Sequence, residues 1–175
     1  WSTGWIRGGD IAPFVGFEAF FQQRKSTAID TQLFLPNPKE QADLWAVTPE
    51  LKASATTALK VSFNQRFSFE VGSGGRTFDG AFLEVSTDRL TWTKLPLSAL
   101  SVPWNGTIDA LSRNPFAGQT AWVGRSAGYP AWVPTTVDLG TAYAGQSVWL
   151  RFHFGSDPGV PATGWEIDEL SATGL

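Results

Sequence analysis

The sequence predicts an all-β fold, an antiparallel β-sandwich of jelly-roll-like form, and three observations carry that expectation. The 175 residues include 13 Phe and nine Trp, aromatics that fit the pleated, half-buried surface of a strand. Eighteen Gly and 11 Pro cut the chain into short segments, as a sandwich of short strands requires. Several segments alternate apolar and polar residues with the period of two that marks a strand with one buried face, and no stretch shows a convincing helical period.

In chain order, residues 1–38 are the hardest to read. Gly4, Gly8, Gly9, Pro13 and Gly16 punctuate an apolar run containing Phe14, Phe17, Phe20 and Phe21, which predicts one or two strands. Ala28 to Leu35 predicts another, ended by Pro36-Asn37-Pro38, because proline lacks the N–H a ladder needs. Ala42 to Val47 is a short apolar strand stopped at Pro49. The longest alternation follows. Leu59, Val61, Phe63, Phe67 and Phe69 share one face with Gln65, while Lys60, Ser62, Asn64, Arg66, Ser68 and Glu70 share the other, a long strand wet on one side.

Ala81 to Ser86 and Thr91 to Leu95, joined by Thr87-Asp88-Arg89-Leu90, form a predicted antiparallel pair. Residues 96–129 are a long insertion rich in Pro, Gly and Trp, and insertions of that length carry function or extra strands. Trp132 to Leu139 is a further strand. The closing unit is SVWLRFHFGSDPGVPATGWEIDEL, from Ser147 to Leu170. Val148, Leu150, Phe152 and Phe154 face one way there, and Trp149, Arg151 and His153 the other. A Gly/Pro turn then leads to a last strand with Glu166 and Asp168 on one face. The total is roughly eight or more strands. With no repeat and no low-complexity linker, residues 1–175 read as a single module. Its segment 1–40 is an N-terminal extension or the first strands.

Composition sets the classes of function. Net charge is −3, so there is no basic surplus to draw phosphates, and nucleic acid is set aside as a partner. The chain has no Cys, which removes disulfides, thiolate nucleophiles and cysteine zinc sites while leaving the compartment open. It also has no Met and reads as a piece of a longer product. No apolar run approaches the roughly 18 to 20 residues of a helical membrane span.

The strings ADLWAVTPEL, VSFNQRFSFE, FDGAFLEVSTDRLTWTKL, NPFAGQTAWVGRSAGYP, VDLGTAYAGQSVWLRFHFGSDPGV and GWEIDEL occur in a familiar order. Residues 41–175 resemble the accessory β-sandwich at the C-terminal side of secreted bacterial metallopeptidases of the fungalysin and immune-inhibitor types. They are also similar to MAM-like and cleaved-adhesin jelly rolls. The resemblance implies a non-catalytic module on a secreted or cell-surface protein. Its partners would be an extracellular polysaccharide or protein substrate and a parent catalytic domain. Related modules often carry a His in the strand that here reads FNQRF, and a Gly-Gly after the Asp where this chain has Asp79-Gly80-Ala81. Residues 1–40 do not fit the pattern.

Individual residues are weighed against plainer roles. Glu166-Ile167-Asp168-Glu169 is close to the strand motif of jelly-roll glycosidases, in which carboxylates at i, i+2 and i+4 supply nucleophile, helper and acid/base. Here i+4 is Leu170, so the third group is missing and a hydrolase is the weakest reading. Jelly rolls of the kind resembled commonly pin their terminal strands with calcium, an oxygen-seeking ion. Asp168 is the favoured ligand, with Asp43, Asp79 and Glu18 as partners; in the plainer reading Asp168 bonds backbone or pairs with Arg66 or Arg151.

His153, the single histidine, reads as a residue of the solvent face of its strand, because most zinc sites need more than one such ligand. Gly124 to Gly128 fits the letters of a nucleophile elbow around Ser126, without the strand-to-helix context that gives the motif meaning. Trp149, Trp92, Trp104, Trp122 and Trp132 are the candidates for ligand stacking. Most Trp in a small sandwich is core, so one or two of the five are expected to be exposed. The expectation is an accessory module that is not an enzyme, and that either grips a polymer or packs on its parent without a small ligand.

Overall fold

A computed structural model describes residues 4–12, 21–25 and 31–175. Among them are thirteen strands: β1 (Ile6–Ala12), β2 (Gln22–Lys25), β3 (Thr31–Asn37), β4 (Gln41–Val47), β5 (Leu51–Lys52), β6 (Leu59–Ser68), β7 (Gly80–Ser86), β8 (Thr93–Lys94), β9 (Gly106–Thr107), β10 (Thr120–Val123), β11 (Val133–Gly140), β12 (Ser147–Ser156) and β13 (Ala162–Thr173). Two antiparallel sheets pack as a sandwich. The larger runs β1-β4-β12-β7-β10-β9, with β5 paired to β12 and β8 to β7. The smaller runs β11-β6-β13-β3-β2.

The inner faces follow from the alternation. Val148, Leu150, Phe152 and Phe154 of β12 meet Leu59, Val61, Phe63 and Phe67 of β6, all buried. Phe63 meets Phe152 edge-on at 5.3 Å between ring centroids, and Trp165 lies 5.6 Å from Phe152 and 5.8 Å from Trp122. Gln65 is the polar member of the inner row of β6. It is fully buried, accepts the Trp165 indole N–H at 3.0 Å and donates to the Thr135 hydroxyl at 3.0 Å, which meets the requirement that buried polar groups be paired.

The insertion does supply strands, β9 and β10, and β10 extends the larger sheet beside β7. It also folds back over the outer face of that sheet. Phe82, Ile108, Ala121 and Val123 form a second apolar cluster there, with Trp104 and Phe116 packed against it. Gly155 of β12 permits the approach, since a Cβ at that position would stand 2.4 Å from the Phe116 ring and 2.5 Å from Asn114. Every residue of β7 is consequently buried.

This roof corrects the expectation for His153. The side chain does point to the outer face, opposite Trp45 and Phe82, but it is buried at 5% exposure, with the Phe116 ring 4.6 Å away.

Candidate functional site

The predicted calcium ligands do not converge. Asp43 of β4 bonds His153. Asp168 of β13 accepts the backbone N–H of Glu169 at 2.8 Å, where a bulge interrupts the pairing with β6 and Glu169 takes φ 51°. Glu18 lies outside the described residues. Asp79 alone of the four belongs to an acidic group, and its companions are Glu70 and Asp157, with one ligand atom from each within 4.8 Å of the others.

These three carboxylates, with Asn37, lie where four strands begin or end. Glu70 follows β6, Asp79 precedes β7 and Asp157 follows β12. Asn37, the last residue of β3, donates from Nδ2 to Asp79 Oδ2 at 2.8 Å. The Asp157 N–H donates to Asp79 Oδ1 at 2.9 Å, and the Val160 N–H to Glu70 Oε2 at 3.2 Å.

Burial, with the charges of Glu70 and Asp157 adding to it, pushes Asp79 up to about 7 against the hydrogen bonds it accepts. Asp157 is also raised, chiefly by burial. Asn37 is buried at 3% exposure, and its Oδ1 has no hydrogen-bond partner among the described residues. An orphan amide oxygen beside three crowded carboxylates is a donor set suited to a hard cation, which takes six to eight oxygens. Sequence reading missed Glu70, Asp157 and Asn37 because they are far apart in the chain. Their common position at strand ends was the available signal.

Glu166 is a structural anchor. Arg66 grips it with Nε on Oε2 and Nη2 on Oε1 at 3.1 Å. Gln32 donates to Oε1 at 3.0 Å, and Arg24 stands 3.8 Å away. Ser126 is buried, and its hydroxyl accepts the Phe67 backbone N–H at 3.2 Å, so the elbow-like letters mark a loop tie.

The five tryptophans separate. Trp122 is wholly buried and has no face to offer a ligand, because the insertion places its ring in the core. Trp104 stands edge-on against it at 4.5 Å and packs on both apolar clusters. Trp132, on the other sheet, is covered by the Arg66 guanidinium at 4.4 Å.

Trp92 and Trp149 lie together at the unroofed end of the larger sheet. Arg151 stacks over Trp92 at 4.5 Å, and Arg89 over Trp149 at 5.1 Å. Trp45, which the sequence reading did not single out, joins them. Its ring lies against Gly8 of β1, where a Cβ would come within 2.5 Å of it. Ile6, Trp45, Val47, Arg89, Trp92 and Arg151 line a cleft of about 220 Å³.

The chain is similar to the K1 cleaved adhesin domain of Lys-gingipain from Porphyromonas gingivalis W83. That structure aligns with a TM-score of 0.50 and 14% identity over 100% of this chain and 93% of the adhesin domain. At that identity the likeness establishes a shared sandwich fold. No protein-family description and no curated protein sequence matches the chain.

Proposed function

We propose that the chain is a non-catalytic accessory module of a larger secreted or cell-surface protein, and that it holds an extracellular polymer on the outer face of its larger sheet. One observation carries this reading: the cleft formed by Trp45, Trp92, Arg89 and Arg151, continued by Trp149. Aromatic rings give a large contact area with few rotors to freeze, and Arg with Trp forms the anchor chemistry of binding hot spots. The fold shared with an adhesin domain of a protease and the resemblance to metallopeptidase-associated sandwiches support an accessory role beside a catalytic domain. The catalytic lookalikes support it too, since Glu166, His153 and Ser126 are each committed to internal bonds.

The test is tryptophan fluorescence titration of the wild-type chain and a Trp92→Ala/Trp149→Ala variant against an array of polysaccharides and extracellular proteins. Saturable quenching that the double variant loses is expected. No response to any polymer would leave the structural reading, a sandwich that packs on its parent without a ligand of its own.

A calcium ion at Glu70, Asp79 and Asp157 is a second proposal, supported by the orphan Asn37 oxygen. Those side chains would supply its ligands, and the ion would tie the ends of β3 and β6 to those of β7 and β12. Its chemistry would be structural, offsetting the mutual repulsion of the three carboxylates.

A further inference from the structure

The two guanidiniums of the cleft differ from those that close a full fork on a carboxylate. Arg66 and Arg76 each form a two-point fork with a carboxylate. Arg151 uses only Nε, on Glu84 at 2.6 Å, and the rest of its fork makes no hydrogen bond among the described residues. Arg89 is exposed, and among the described residues its guanidinium makes no ion pair and donates no hydrogen bond. Each lies over the ring of a tryptophan, which limits where the guanidinium can go before any ligand arrives. A stacked guanidinium with free edge N–H groups is built to grip a planar carboxylate at two points.

The backbone beneath the cleft narrows the occupant. β12 is an interior strand, paired on one side with β4 and on the other with β7. An extended peptide laid along β12 would find no open strand edge to satisfy its own N–H and C=O groups, and β1, the end strand of the sheet, borders the cleft through Ile6 alone. A sugar ring has no such need, because it stacks its apolar face on an aromatic plane and bonds through its substituents. The cleft is also below the roughly 300–1,000 Å³ of enclosed small-molecule sites, which suits a single ring of a longer chain lying across it.

We propose that this cleft is a subsite for a uronate residue of an acidic polysaccharide, with Arg89 and Arg151 taking the carboxylate, Trp92 backing Arg151 and Trp45 taking the sugar face. The proposal rests on the polymer-binding reading above and names its ligand class.

The experiment titrates the intact chain by calorimetry and tryptophan fluorescence against oligogalacturonate, alginate and hyaluronan oligomers. The methyl ester of oligogalacturonate and poly-glutamate serve as comparison probes. At least one uronate oligomer is expected to bind saturably, to weaken several-fold between 50 and 500 mM salt, and to lose about tenfold or more in affinity with Arg89→Gln. Arg89 lies on an exposed turn, so the variant's unfolding midpoint should match wild type. Loss of the neutral ester's binding would complete the case.

Equal binding of the ester would overturn the carboxylate inference while leaving a polymer-binding face standing. Equal binding of poly-glutamate would overturn recognition of the sugar and point to acidic peptides. Uronate affinity untouched by both Arg89→Gln and Trp92→Ala would remove the site from this cleft. If neither these probes nor the wider array elicits binding, the inference and the function proposed above fall together.

Discussion

His153 Nε2 and Asp43 Oδ1 stand 2.6 Å apart, joining β12 to β4 beneath the roof formed by the insertion. The other ring nitrogen, Nδ1, lies 2.8 Å from Glu84 Oε2 on β7. A neutral imidazole has one N–H, whereas two ionised carboxylates require a donor at each nitrogen, so the ring is held as imidazolium. Burial opposes that charge, but the hydrogen bonds and charges of Asp43 and Glu84 outweigh it and raise the His153 pKa. Burial likewise opposes ionisation of Glu84, and the bonds from His153 and Arg151 overcome it and lower its pKa.

The sign of the resulting pH dependence follows from linkage. A histidine whose folded pKa is raised contributes stability that is fully present below about 6.5. That stability is lost as pH climbs through the raised folded value. The wild-type chain should therefore lose unfolding free energy as pH rises above neutrality, measured by urea melts from pH 6 to 9 with calcium held in excess. His153→Gln should flatten that limb and, by leaving the buried Glu84 and the partly exposed Asp43 short of a cation, cost about 1–3 kcal/mol at pH 6. An equally steep limb in the variant would show that another group is responsible.

The acidic group at the strand ends predicts a trend of the same sign, in a lower pH window, in a metal-free sample. Asp79 is raised to about 7, so its ionisation works against the fold. In chelator, stability should rise as pH falls from about 7 towards 4, by an amount on the order of 4 kcal/mol at most. Saturating calcium should remove that rise. At pH 7.5, calcium at 100 times its dissociation constant should lift the unfolding midpoint by roughly 5–10 °C. Asp79→Asn should abolish the lift while keeping the strand spectrum. A midpoint indifferent to calcium would exclude the ion.

Glu166 predicts a stability effect without a binding effect. Its side chain is 7% exposed and that of Arg66 is 27%, so Arg66→Ala leaves a buried carboxylate with Gln32 and a more distant Arg24. The expected loss is about 2–3 kcal/mol, below the full cost of breaking a wholly buried pair because Arg66 is partly in water. Polymer affinity should be unchanged, since the pair lies on the other sheet. A matched fall in affinity would contradict the placement of the cleft.

The roof itself can be tested through one methyl group. Gly155→Ala would place a Cβ in contact with Phe116 and Asn114, and overpacking of this kind costs about 1–3 kcal/mol. Amide exchange of β7 should quicken as the insertion lifts, while β6 and β13 exchange as before. Unchanged protection of Phe82 and Glu84 would mean that the insertion does not seal that face.

Much of the sandwich was legible because one-face burial writes itself as alternation. The rows beginning at Leu59 and Val148 became β6 and β12 with the expected inner residues. What alternation cannot say is whether an outward side chain meets water. His153 occupies an outward position, yet the insertion covers it, and the clue lay in Phe82 and Phe116, apolar residues with no place on a bare outer face. Trp122 was misread for a different reason: its short run gave no hint that β10 joins the larger sheet and turns the ring into the core. The acidic group was hidden differently. Asp79 was recognisable as a candidate, but Glu70 and Asp157 become its neighbours only through strand order, which local spacing does not encode.

The sheet order also bears on when the fold can exist at all. β12 sits between β4 and β7, and β13 between β6 and β3, so residues 147–173 supply the middle strand of each sheet. Until that segment leaves the ribosome, the earlier strands have gaps at their centres and no completed core. A nascent chain halted at residue 146 should remain sensitive to protease along its whole length, and folding should begin only as synthesis of the domain ends.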